Sequence, residues 1–361
     1  MIYLDYQATT PLAPEALDAM LPWLRDGFAN PHSAHRPARA AKAAVEVARG
    51  EVAHLVPAGG RVAFTSGATE ALNWAIKGTA GGLVTLATEH AAVLDTVAAE
   101  RARGRAVTVL PVGSDGLVDL DAARAAIVPG TGLVAAMLVN NEIGVVQPVA
   151  ELAAMAHAAG AVMLCDAVQG YGRVAIPDTV DLVAVSAHKV HGPKGIGALW
   201  MRDGVAPAPL LRGGDQEDGR SGTLSPALCA GFGTAARLMR ERAGEDAAHV
   251  AALWDVAESI LAGWTINGAV EERYRGNINI RRDGLDVNRM MSDLRDVAFS
   301  AGSACASGSG RSSHVLRAIG LSDAQARSSV RIGWGRYTTE AALRDGLVRI
   351  VAAAGAQGIA A

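Results

Sequence analysis

The chain has 361 residues, half of them apolar but only 4% aromatic, with 41 glycines and 19% charged residues. That length suggests about two domains at ~150 residues each, and the small, aliphatic character fits an α/β core and excludes intrinsic disorder. A formal charge of −3 excludes a general nucleic-acid or membrane footprint, and three scattered cysteines (Cys165, Cys229, Cys305) exclude a disulfide framework and any CxxC motif.

The N-terminal MIYLDYQATT carries Asp5 and no basic leader followed by an apolar core. The longest apolar stretches, such as 133–139, are strand-length, far below the ~18–20 residues that span a bilayer. A soluble, reducing, cytoplasmic setting is therefore expected, with no membrane and no direct nucleic-acid partner.

Short β-rich runs are predicted at 61–65, 83–87, 106–111, 133–139, 161–165, 182–186 and 197–201. Ala-rich stretches with helical spacing lie between several of them, at 68–78, 90–103 and 149–159. Apolar runs alternating with helices read as βαβ units around a mostly parallel sheet, whose ligand crevice lies at the carboxyl ends of the strands. After Gly213 the pattern changes. GGDQEDGRSG (213–222) is a turn-rich connector, and a helical pattern begins at Pro226. A long helix is predicted over 245–262, short strands near 276–281, 297–300 and 330–333, and a last helix over 339–354. This second part reads as a smaller α+β unit.

Seven segments carry chemistry, each beside an ordinary alternative. In FTSGATEALN a strand gives way to a helix near Ala68, with Thr69 in its first turn. Such a junction offers free N–H groups to a phosphate, or is plain turn chemistry. TEHAAVL places His90 after a strand, as a ring to lie on a cofactor or as a helix-start residue. VNNEIGVVQP sets Asn140 and Asn141 after the most apolar strand, as ligand contacts or as a capped turn. Asp166 in LCDAVQ follows a buried strand and is either a helix cap or the partner of a pyridine nitrogen. Lys189 in SAHKVHGPKG ends another strand, where a surface lysine is ordinary but a crevice lysine is a Schiff-base nucleophile. SAGSACASGSG surrounds Cys305 with Gly, Ser and Ala, which suits a mobile thiol nucleophile more than a packed cysteine. Arg331 and Arg336 flank the last strand as carboxylate partners or as ion-pair residues. No metal site is expected: His188 and His191, or His32 and His35, lack a third ligand at usable spacing.

With these motifs in this order, the chain resembles the cysteine desulfurases of the class V aminotransferases, of pyridoxal phosphate (PLP) fold type I. The branch serving iron–sulfur assembly and tRNA thiolation fits best. The resemblance runs from YLDYQATTP (3–11) to GRYTTEAAL (335–343) and includes TSGATEALN, NNEIGVVQP, SAHKVHGPKGIGALW, RSGTLSP and SAGSACAS. It implies a seven-stranded, mostly parallel sheet in a large domain over 12–250, and a small α+β domain from 1–11 and 251–361. It implies PLP as cofactor, with Lys189 forming the Schiff base, Asp166 on the ring nitrogen, Gln169 on the ring hydroxyl and His90 on the ring face. Ala68, Thr69, Ser186 and His188 would hold the phosphate, Thr223 would reach the phosphate of a neighbouring subunit in a homodimer, and Asn141 would touch cofactor or substrate. Arg331 would bind the carboxylate of L-cysteine. Cys305 would take the sulfur as a persulfide, leaving alanine, and pass it to an acceptor protein such as an iron–sulfur scaffold or a tRNA-thiolating enzyme. A selenocysteine lyase would depend less on Cys305, and a catalytically silent scaffold subunit would not need Lys189, Asp166, His90 and Cys305 together. Three departures stand out: a connector one residue shorter than usual, Pro37 where a small flexible residue is common, and an end soon after the last helix. The last of these leaves docking to an iron–sulfur scaffold open.

Overall fold

The computed structural model describes residues 1–302 and 312–358. Seven strands form one sheet in the order Gly60–Thr65, Gly197–Arg202, Leu182–Ser186, Val162–Asp166, Thr131–Met137, Gly82–Leu86 and Val107–Leu110. Gly197–Arg202 is antiparallel to both neighbours and the other pairs are parallel. The strands read as unbroken apolar runs because both faces are covered. Val134, Ala136, Met163, Cys165, Val183 and Val185 enter one core, which also holds residues of the helices Arg36–Ala53, Val149–Ala158 and Pro226–Glu241. Leu133, Ala135, Leu164, Leu182, Ala184 and Leu199 face the other, under the helices Ala68–Gly78 and Ala91–Ala102. Cys165 and Cys229 are free thiols packed in the first core.

Two helices, Pro14–Arg25 and Arg36–Ala53, occupy a stretch to which sequence reasoning assigned no element. The predicted strand at 297–300 divides in two. Val297–Ala298 pairs with the N-terminal Ile2–Tyr3, and Ser300–Ala301 joins an antiparallel sheet with Ser329–Gly333, Asn277–Arg281 and Thr265–Ile266. Buried Phe299 lies between the two short strands. A separate core collects Leu4, Trp254, Ile278, Ile280, Ile332, Trp334 and Leu347 around this second sheet and the helices Ala243–Ile260 and Glu340–Gly355. The connector is anchored by Glu217, whose carboxylate meets Arg49 at 2.7 Å and accepts from the Phe64 N–H at 2.6 Å.

Two contacts set the edge on which the crevice lies. Strand Leu182–Ser186 turns back into Gly197–Arg202 with Ser186 opposite Gly197. A Cβ on Gly197 would sit 2.4 Å from the Val185 carbonyl oxygen and 2.7 Å from Gly67 Cα, so only glycine fits. Beyond the strand Thr131–Met137, Glu142 is buried and accepts a hydrogen bond from Ser313 Oγ. Burial pushes the Glu142 carboxyl up to about 7, against the opposing pull of Ser313 and Arg331.

Gly197→Ala should therefore lower stability by about 1–3 kcal/mol through overpacking, read as a lower urea midpoint at unchanged slope; an unchanged midpoint would mean the backbone yields freely there. Because the folded state holds the Glu142 proton more tightly than the unfolded chain does, the native advantage is greatest below the ordinary carboxyl value and is lost as pH rises towards about 7. Glu142→Gln removes this titration. The stability difference between wild type and variant should shift by roughly 3 kcal/mol over that window, at about 1.4 kcal/mol per pH unit, and a pH-independent difference would count against it.

Candidate active site

A cavity of about 490 Å³ opens at the carboxyl ends of the parallel strands. Its lining includes Ala68, Thr69, His90, Asn141, Asp166, Gln169, Ser186, His188, Lys189 and Arg331. Residues more than 260 positions apart in the chain are thus brought together. Two predicted residues are not among them. Thr223 is exposed on the connector and does not line the cavity, and Cys305 lies outside the described residues.

Each side chain is placed by the end of a strand. Lys189 closes a 3-10 turn, Ala187–Lys189, directly after Leu182–Ser186. Its Nζ donates to the Gln7 carbonyl at 2.5 Å and to the Ala8 carbonyl at 2.8 Å. Gln169 Nε2 donates to the same Gln7 oxygen at 3.0 Å. Asp166 is the last residue of its strand and 5% exposed, and its Oδ1 accepts from the Val168 N–H at 3.0 Å. Burial raises its carboxyl to about 6, against the pull of the Val168 N–H and Lys189. Beside it, wholly buried Glu89 is pushed well above the carboxylate range by burial and by Asp166, so a second negative charge next to Asp166 is disfavoured.

His90 caps the helix Ala91–Ala102, with Nδ1 accepting from the Ala92 N–H at 3.1 Å. That bond leaves the proton on Nε2. Burial, then Lys189 and His314, lower its pKa, so the ring is neutral. The helix Ala68–Gly78 begins at Gly67 with no side-chain cap, and its first residues, Ala68 and Thr69, line the cavity together with Ser186 and His188. Glu70 in that turn accepts from the Ser66 N–H at 2.7 Å and from Arg220 at 2.8 Å, which ties the connector to the junction. His188 stays neutral, lowered to about 4 by burial and by Lys189 and Lys194.

The two adjacent asparagines divide the two readings between them. Asn140 is the capped turn: its Oδ1 accepts from the N–H groups of Glu142 and Ile143 at 2.8 and 3.0 Å. Asn141 faces the cavity, and its carbonyl accepts from Arg331 Nη1 at 3.2 Å. Arg331, 1% exposed, also pairs with Asp5 at 2.8 Å, while its Nε has no partner. Arg336 takes no part in this cavity and is paired with Asp246 instead.

Gln7, Ala8 and Lys194 also line the cavity and went unassigned in the sequence reading. Gln7 and Ala8 act through main-chain carbonyls, which carry no side-chain signature, whereas Lys194 lies within the quoted SAHKVHGPKG. Among the described residues the lining holds Lys189, Lys194 and Arg331, the last paired with Asp5, against one lining carboxylate, Asp166, so an anionic occupant is favoured. An uncapped helix N-terminus suits a phosphate. A buried carboxylate that lines the cavity, Asp166, suits a cationic ring nitrogen. The residues present fit PLP.

The Aminotransferase class-V family matches residues 2–344. The chain is 45% identical to a probable mitochondrial cysteine desulfurase of Schizosaccharomyces pombe, over 94% of this chain and 72% of that one. It is 42% identical to cysteine desulfurase IscS of Rickettsia bellii, over 94% and 87% of the two chains. Among solved structures, a NifS-like protein superposes with a TM-score of 0.89 at 30% identity, covering 97% of this chain and 98% of that one. SspA in complex with cysteine superposes at 0.83 and 35% identity, covering 94% and 100%. With identity sustained from the first strand to the last helix, and the same fold in the solved relatives, the chain belongs to the class V aminotransferases and, within them, to the cysteine desulfurases.

Proposed function

We propose that this cysteine desulfurase holds PLP in the cavity around Lys189 and converts L-cysteine to L-alanine, passing the sulfur to Cys305. The observation that carries the assignment of roles is the convergence of Lys189, Asp166, neutral His90 and an uncapped helix start on one anion-favouring cavity. When bound there, PLP supplies an electron sink for the pair left when the substrate Cα proton is removed.

The chain's own residues do the rest. Ala68, Thr69, Ser186 and His188 hold the phosphate, Gln169 holds the ring hydroxyl, and His90 lies on the ring. Asp166 keeps a proton on the ring nitrogen, which needs its carboxylate charged. Arg331, with Asn141 beside it, orients the substrate carboxylate. Lys189 Nζ leaves the carbonyls of Gln7 and Ala8 to take the Cα proton. The Cys305 thiolate then attacks the substrate sulfur: the S–S bond forms, the substrate C–S bond breaks, and carbon takes a proton in its place. Cys305 is left as a persulfide and alanine departs.

The same proposal includes a homodimer in which Thr223, exposed and outside its own chain's cavity, serves the neighbouring subunit. It includes the division into 12–250 and 1–11 with 251–361, supported by the separate core around Leu4, Trp254 and Leu347. A protein acceptor for the persulfide, such as an iron–sulfur scaffold or a tRNA-thiolating enzyme, belongs to it as well. So does a cytoplasmic setting, in keeping with the free thiols of Cys165 and Cys229. Among the described residues no helix is long and apolar enough to cross a membrane.

Purified protein should be yellow and should release alanine from L-cysteine in the presence of a thiol reductant. Lys189→Ala should cut turnover by about 10²–10⁴-fold, the usual weight of a general base. Cys305→Ala should keep the cofactor absorbance and lose the protein-bound persulfide; full turnover in that variant would remove Cys305 from the reaction. Arg331→Lys keeps the charge but not the paired donors, so KM for L-cysteine should rise about tenfold, the weight of one charged hydrogen bond, with a smaller change in kcat. A variant that lowers kcat alone would place Arg331 elsewhere in the mechanism.

A further inference from the structure

A second cavity of about 180 Å³ shares no lining residue with the first. Its lining includes Arg173, Arg275, Arg336 and His191 and, among the described residues, one acidic residue, Asp246. Arg336 and Asp246 meet at 2.5 Å and cancel in charge. Among the described residues neither Arg173 nor Arg275 has a carboxylate within ion-pair distance. The Arg336 side chain is only 2% exposed, yet its Nη1 is buried without a hydrogen-bond partner. An unpaired donor on a buried cation is expensive, and such donors are ordinarily satisfied. His191 adds no charge, since burial together with Arg173 and Arg336 lowers it to about 3.

We propose that this cavity binds a small oxyanion, a carboxylate or a phosphate, between Arg173, Arg275 and Arg336, and that its occupancy is felt at Lys189 through Arg173. The connection is direct. Arg173 Nη2 donates to the Lys189 carbonyl at 2.5 Å and Nη1 to the Gln169 carbonyl at 3.3 Å, so one guanidinium braces two residues of the active cavity from outside it. An oxyanion competes for those donors and loosens the brace. Two residues beyond the turn it loosens lies His191, a non-glycine residue at φ 66° that its surroundings hold in the left-handed region. The cavity is sized for a free small anion.

Calorimetric titration of the cofactor-loaded enzyme with inorganic phosphate, and separately with acetate, tests the site while the cofactor's own phosphate position is filled. At least one of the two should bind saturably, and which one assigns the anion class. Binding should weaken at least about tenfold in Arg275→Glu, an exposed position, and in Ala247→Leu, which fills the cavity without altering its charge. The bound anion should raise KM for L-cysteine in the wild type and leave it unchanged in both variants. No saturable binding, or binding equal in wild type and both variants, would overturn the site. Binding with no change in KM would overturn the link to Lys189.

Discussion

Arg331 can be buried in this protein only because Asp5 meets it, at 2.8 Å, from the other end of the chain. A guanidinium at 1% exposure is costly unless its charge is paired and its donors are used. Meeting that demand fixes the path of the N-terminal segment. The Leu4 amide bonds to Ala298 and its carbonyl accepts from Gly333, so the segment enters between the short strand Val297–Ala298 and the strand Ser329–Gly333 of the second sheet. From Asp5 it runs to Thr10, whose amide bonds to the His188 carbonyl at the far wall. On the way the carbonyls of Gln7 and Ala8 pass over Lys189 Nζ. One ion pair thus sets both the carboxylate-binding end of the cavity and the resting place of its lysine.

The charges inside the cavity obey the same constraint. Asp166 lines the cavity with Glu89 wholly buried beside it, and burial disfavours two negative charges there. The fully enclosed Glu89 is pushed well above the carboxylate range. Asp166, with the Val168 N–H and Lys189 nearby, keeps its charge at neutral pH and becomes the group a cation can answer. The histidines at the same edge are pushed the other way, so His90 and His188 act as neutral rings among ammonium groups.

Most of the sheet and much of the cavity were legible in the sequence for one reason. In a sheet covered on both faces the strands are plain apolar runs, and the residue after each run falls at the carboxyl edge. Asp166, Lys189, His90 and Asn141 were found that way. The helix Arg36–Ala53 was not, although its buried positions Ala38, Ala41, Val45, Ala48 and Val52 keep a regular helical stripe. Three of the five are alanines, whose small apolar surface hardly stands out from the Arg, Glu and Lys around them. The division of labour between Asn140 and Asn141 was equally hidden, because it depends on which side of the turn each faces. Main-chain groups such as the Gln7 carbonyl cannot be read from residue type at all.

The reversed strand Gly197–Arg202 has a consequence for how this site tolerates change. A parallel partner for Leu182–Ser186 would need a crossover of a dozen or more residues to the opposite edge. The antiparallel return places Lys189 and Lys194 on the cavity wall on either side of the buried residues 190–193. Insertions in most surface loops are absorbed by solvent, but here the middle of the return is buried and hydrogen-bonded to Thr10 and Ala13, so added chain has no solvent to enter. The length of that return is therefore fixed by the packing around it and with it the spacing of Lys189 and Lys194, so drift in loop length is restricted where drift in sequence is not.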